Sequence, residues 1–141
     1  MPFSLGGLVA ADGPVVVPGW VKPRGYSNGY RAGNTVFVAG QIAWDAECRL
    51  VGAGDFAVQF RQAILNVRAV LDAEKVPVER VGRVTVYVTD KQAYLKNLPA
   101  VGAAWREALG KHYPAMSLVQ VADLLEEGAM VEIEATADVS P

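Results

Sequence analysis

The chain has 141 residues, a net charge of −2 from 13 basic and 15 acidic side chains, 52% hydrophobic residues and a mean hydropathy of +0.20. That length fits one domain able to bury a core without metals or cross-links, and the lone Cys48 excludes an internal disulfide and suits a reducing compartment. No basic run points to nucleic acid or an anionic membrane, and no apolar stretch approaches the roughly 18 residues of a bilayer span.

Residues 1–18 are apolar, carry no Lys or Arg and are interrupted by Gly6, Gly7, Gly13 and Pro14. They lack the charged start of a secretory leader. They read as an N-terminal extension to a single domain spanning 1–141, expected in the cytoplasm. Pro and Gly punctuate residues 18–29, which read as an irregular loop. Tyr30–Ala32 and Thr35–Ala39 flank Gly33-Asn34 as a hairpin. Gly40-Gln41 closes the second strand, and residues 42–54 form a long connection.

Asp55 is placed to cap a helix running to about Ala73. Phe56, Phe60, Ile64, Val67 and Leu71 form one apolar helical stripe. Val76-Pro77 ends the pattern. Val81–Thr89 alternates as a strand, with Val84, Val86 and Val88 on one face and Thr85 and Tyr87 on the other. Tyr94–Leu109 reads as a second helix, with Pro99 tolerable near a first turn or as a kink. Gly110 is suited to stop it. Met116–Val121 and Met130–Ala137 are the last strands, joined by an acidic turn. The strand, strand, helix, strand, helix, strand, strand order predicts an α+β domain, one sheet with two helices on one face.

Strand alternation sets Glu132 and Glu134 on one face and Val131, Ile133 and Ala135 on the other. By spacing alone the two glutamates read as a solvated pair. Met116, Leu118 and Gln120 share one face of their own strand. His112 reads as a charge at a helix end. No Cys/His cluster supports a metal site, and no phosphate-cradling loop is present.

Six segments occur in a characteristic order. They are Gly25-Tyr26-Ser27-Asn28-Gly29, Val38-Ala39-Gly40-Gln41-Ile42, the helix with Leu65-Asn66-Val67, Val84-Thr85-Val86-Tyr87-Val88-Thr89-Asp90, Pro114-Ala115-Met116-Ser117 and Val131-Glu132-Ile133-Glu134-Ala135. Over about Gly25 to Ala137 the chain thereby resembles the Rid (RidA/YjgF) family, small proteins that hydrolyse reactive enamines and imines. The resemblance implies a chorismate-mutase-like fold, mainly antiparallel, assembled as a homotrimer with ligand clefts between subunits.

It also implies roles for residues. Glu132 matches the active-site glutamate, which would activate water. Tyr26 matches a tyrosine that covers the pocket, and Gly40 and Gln41 match the strand end that offers backbone to the ligand. Met116 stands where deaminating members usually carry an arginine that grips the substrate carboxylate. Leu118 replaces a frequent cysteine, and Leu98 a helical asparagine. Arg24, beside Tyr26, and Arg31 are the candidate replacement cations.

The implied activity is hydrolytic deamination of an enamine or imine without a cofactor. The apolar Met116 and Leu118 favour a substrate larger than 2-aminoacrylate, such as an aminomuconate-like compound. The alternative is a non-catalytic protein that holds a small metabolite or hydrophobic ligand in the same cleft. Neither nucleic acid nor membrane is expected as a partner.

Overall fold

A computed structural model describes residues 11–141; residues 1–10 of the expected extension lie outside them. The strands are β1 (Gly13–Pro14), β2 (Gly29–Ala32), β3 (Thr35–Gln41), β4 (Val81–Val88), β5 (Ala115–Gln120) and β6 (Val131–Asp138). They form one sheet in the order β1-β2-β3-β6-β4-β5, antiparallel except for the β4–β5 pair. The helices are α1 (Phe56–Ala73), α2 (Lys91–Lys96) and α3 (Leu98–Leu109), with a 3₁₀ turn at Val78–Arg80. The described residues therefore form an α+β domain, one sheet with three α-helices.

Period-two alternation sorts the sheet into two faces. Val36, Val38, Val84, Val86, Val88, Val131, Ile133 and Ala135 point into the core. On α1, Phe56, Phe60, Ile64, Val67 and Leu71 are all buried, each contributing roughly 1.5–3 kcal/mol by leaving water. The Asp55 carboxylate caps α1 by accepting from the Val58 N–H at 3.1 Å, and the chain escapes it through Lys75 at φ 55°. The opposite sheet face carries Tyr30, Phe37, Thr85, Tyr87, Glu132, Glu134 and Thr136, and none of the helices among the described residues covers it.

Two features depart from the sequence reading, and a third, the strand order, lay beyond it. Part of the expected extension joins the sheet: Gly13 and Pro14 pair with Arg31 and Tyr30, and Val15 is buried. A proline is tolerated there because β1 is an edge strand. The expected second helix is two. Asn97 ends α2, its side-chain amide donating to the Ala93 carbonyl at 2.7 Å, and Pro99 sits in the first turn of α3, where its missing N–H costs no helical bond. The last two strands are not neighbours. β4 lies between them, and β5 runs parallel to β4 because α2 and α3 carry the chain back across the sheet.

Candidate active site

The β3–β6 ladder slips in its middle. Val38 pairs with Ala135, yet Gln41 pairs with Ile133. Ala39 and Gly40 thus oppose Glu134 alone, a β-bulge that turns the strand end. The bulge brings Gly40 against the side chain of Glu132. A β-carbon at position 40 would overlap the Glu132 carboxylate. Glycine is needed here for space, not for an unusual φ. Beyond it opens a cavity of about 250 Å³ lined by Tyr26, Asn28, Ile42, Trp44, Leu125 and Glu132 among others.

The two glutamates on this face have different surroundings. Glu134 accepts a hydrogen bond from the Tyr87 hydroxyl at 2.9 Å. That bond, with burial and the neighbouring carboxylates, pushes the Tyr87 phenol above its ordinary range. Glu132 is half-buried and accepts no hydrogen bond among the described residues. Burial, with a smaller contribution from the charge of Glu134, raises its carboxyl above the ordinary 4.5. Glu132 is therefore the carboxylate left free to exchange protons. Tyr26 stands over the same cavity, 54% exposed, its phenol raised by partial burial and by the nearby Cys48.

Two buried amides on α1 hold this arrangement from behind. Gln59 donates to the carbonyls of Gly52 and Gly128 at 3.1 and 3.0 Å and accepts from the Met130 N–H at 2.9 Å. It thus anchors the turn that enters β6 two residues before Glu132. Asn66 donates to the carbonyls of Ile42 and Trp44 at 3.1 and 3.0 Å, fixing two residues that line the cavity. The sequence reading passed over both as structural braces. Their signal was an amide at positions 59 and 66, one heptad apart on an otherwise apolar stripe.

Comparison with known proteins agrees with this architecture. Residues 21–139 match the family model described as Endoribonuclease L-PSP. A RutC family protein of Pyrococcus horikoshii is 36% identical over 82% of this chain and 89% of its own length. A 2-iminobutanoate/2-iminopropanoate deaminase of Salmonella typhimurium is 34% identical over 79% of this chain and 85% of its own. The chain belongs to the Rid (RidA/YjgF) family. The solved YjgF gene product of Escherichia coli superposes on this Rid protein with a TM-score of 0.75 and 28% identity, covering 91% of this chain and 99% of that one.

Within this Rid protein the residues singled out from the sequence separate into distinct places. Tyr26, Gly40 and Glu132 share the cavity just described. Gln41 is buried, its amide donating to the Ala39 carbonyl at 3.1 Å and, more loosely, to that of Asn28 at 3.5 Å. It braces the bulge and does not line the Glu132 cavity. Met116 and Leu118 pair in register with Val84 and Val86, so they point to the helix side of the sheet, opposite Glu132. One chain cannot bring them to the same ligand as Glu132.

The two candidate cations do not replace the family arginine in this cavity. Arg24 is exposed and is not among the residues lining it. Arg31 is buried on the helix side, its guanidinium 3.8 Å from the carboxylate of Glu74. The β2 alternation decides this: Arg31 pairs with Val36, which faces the core.

Proposed function

We propose that this protein hydrolyses a reactive enamine or imine, releasing ammonia and a carbonyl compound. The observation that carries the reading is the Glu132 carboxylate. It is half-buried, accepts no hydrogen bond among the described residues and is raised in pKa, beside a glycine whose missing side chain makes its room. Membership in a family that includes named iminobutanoate/iminopropanoate deaminases supports the same chemistry.

In this reading ionised Glu132 takes a proton from water as the water oxygen bonds to the imine carbon. That proton passes to nitrogen to give a carbinolamine. The carbinolamine hydroxyl then gives up its proton, by way of Glu132, to the same nitrogen, the carbon–nitrogen bond breaks, and ammonia leaves as the carbonyl forms. A positioned base of this kind contributes about 10²–10⁴-fold. Tyr26 covers the planar substrate with its ring, and its hydroxyl is available as a donor. The Gly40 backbone lies close enough for direct approach of the ligand. No step requires a cofactor.

The working unit in this reading is a homotrimer with clefts between subunits. Tyr30 and Phe37, 45% and 47% exposed on the uncovered sheet face, give a neighbouring copy apolar surface to bury. A neighbouring copy would also supply the Met116 side that a single chain cannot. Apolar Met116 and Leu118 favour a substrate larger than 2-aminoacrylate. A cytoplasmic location accords with the single free cysteine, and among the described residues no helix is long and apolar enough to cross a membrane.

The test is to generate short-lived enamines of graded size in solution and follow ammonia release with and without protein. Acceleration that collapses in Glu132→Gln, with the assembly intact by light scattering, supports the reading. A panel in which nothing decays faster than its uncatalysed rate hands the cleft to the rival, a binding protein without turnover.

A further inference from the structure

The Met116 cleft has a chemistry of its own. Tyr94, Leu98, Val101, Trp105, Tyr113 and Met116 are the chief apolar lining of a cleft of about 240 Å³ between α2, α3 and β5. Three of them are conspicuously wet: Leu98 is 48% exposed, Met116 47% and Tyr113 70%. Among all the lining residues a single one is charged, Arg106.

Arg106 differs from the arginines on the facing helix. Arg61 forms a two-pronged pair with Glu107, at 2.8 and 2.7 Å, and Arg68 pairs with Asp72 at 2.8 Å. Arg61 therefore occupies the carboxylate next to Arg106 in sequence. Arg106 makes no ion pair among the described residues. Its guanidinium instead lies back along α3 over Gly102, where an added β-carbon would come within 3.3 Å of its Nη1. Glycine is a poor choice inside a helix. Here it leaves the guanidinium space beside the apolar lining. Arg106 is exposed, so its planar, permanently charged fork stands at the rim of an apolar, aromatic lining, an arrangement suited to a carboxylate borne on an apolar body.

We propose that Arg106 and the Met116 cleft bind the carboxylate and the apolar side chain of the substrate, a 2-imino acid with an aromatic or bulky aliphatic group. This rests on the deaminase reading, with the reacting carbon presented to Glu132 of a neighbouring copy. The recognition charge has moved from the strand to the helix beside it. The space a strand arginine would fill is left for the side chain.

Two measurements on the full-length protein test this. The first needs no turnover. Calorimetric titration with 3-phenylpropanoate and with 3-phenylpropanamide should show the acid bound at least roughly tenfold more tightly. Arg106→Gln should erase that preference, Arg106→Lys should keep part of it, and Gly102→Ala, which crowds the guanidinium while favouring the helix, should weaken it. Equal binding of acid and amide by the unmodified protein, or a preference that survives Arg106→Gln, overturns the assignment.

The second measurement compares kcat/KM for the imine derived from phenylalanine with that for the imine derived from 2-phenylethylamine. The ratio should fall roughly ten- to hundredfold in Arg106→Gln, whereas Glu132→Gln should lower both rates alike. A collapse in Glu132→Gln with an unchanged ratio in Arg106→Gln removes the Arg106 proposal and leaves the deaminase reading standing. An Arg106-dependent acid preference in a protein without turnover does the reverse.

Discussion

The Glu132 cavity and the Met116 cleft lie on opposite faces of one sheet and are built by different means. Around Glu132 the geometry comes from backbone. A bulge, a side-chain-free Gly40 and two buried amides bound to main-chain groups place the carboxylate. Around Met116 the geometry comes from side chains of two helices and an edge strand, much of it open to water. In the proposed reading Glu132 moves protons, which requires placement within fractions of an ångström of its target, and its supports are buried and hydrogen-bonded. A cleft that only recognised a side chain, as proposed for Met116, would tolerate exchange. That is why methionine can stand in place of arginine at position 116 without harm to the fold: the site is half-exposed at the sheet edge.

The sharpest way to break this contrast is Glu132→Gln. It should lower kcat/KM by about 10²–10⁴, measured by ammonia release, with an unchanged circular dichroism spectrum. Gly40→Ala should come next. The new methyl displaces the carboxylate rather than removing it, and a misplacement of that order costs about 10²-fold. Activity near that of the unmodified protein in Gly40→Ala would show that the position of Glu132 is not constrained as described.

Gln59→Ala probes the supports. It strands the Met130 N–H and leaves two carbonyls short of a partner, and should destabilise the domain by about 2–3 kcal/mol in urea unfolding. Met116→Arg tests the other face. It should raise kcat/KM for small imino acids by about ten- to hundredfold, and leave an imine without a carboxylate unaffected. The smallest effect is on pH dependence. Glu132 has its folded pKa raised above 4.5, so the folded state holds that proton more tightly than the unfolded chain does. The associated stability is fully present below the ordinary carboxylate range and is lost as pH rises through the raised value. Glu132→Gln should therefore melt at a higher temperature than the unmodified protein at pH 7, with the gap closing at pH 4. The acid limb of the rate profile should fall above 4.5 for the same reason.

Local physics made much of this molecule readable in advance. The Asp55 cap and the stripe from Phe56 to Leu71 placed α1 residue by residue, since capping and a 3.6-residue period involve only near neighbours in sequence. The ordered segments from Gly25 to Ala135 carried the family, and alternation along β6 put Glu132 and Glu134 on a common face. Alternation could not say what each face meets. That depends on register and strand order, which are set by contacts distant in sequence. Only the folded chain inserted β4 between β5 and β6, gave Tyr87 to Glu134 and left Glu132 without a hydrogen bond among the described residues. It turned Arg31 into the core, set Met116 on the far side of the sheet, and folded Arg106 over Gly102. Sequence determines which side chains share a face; packing decides which faces share a site.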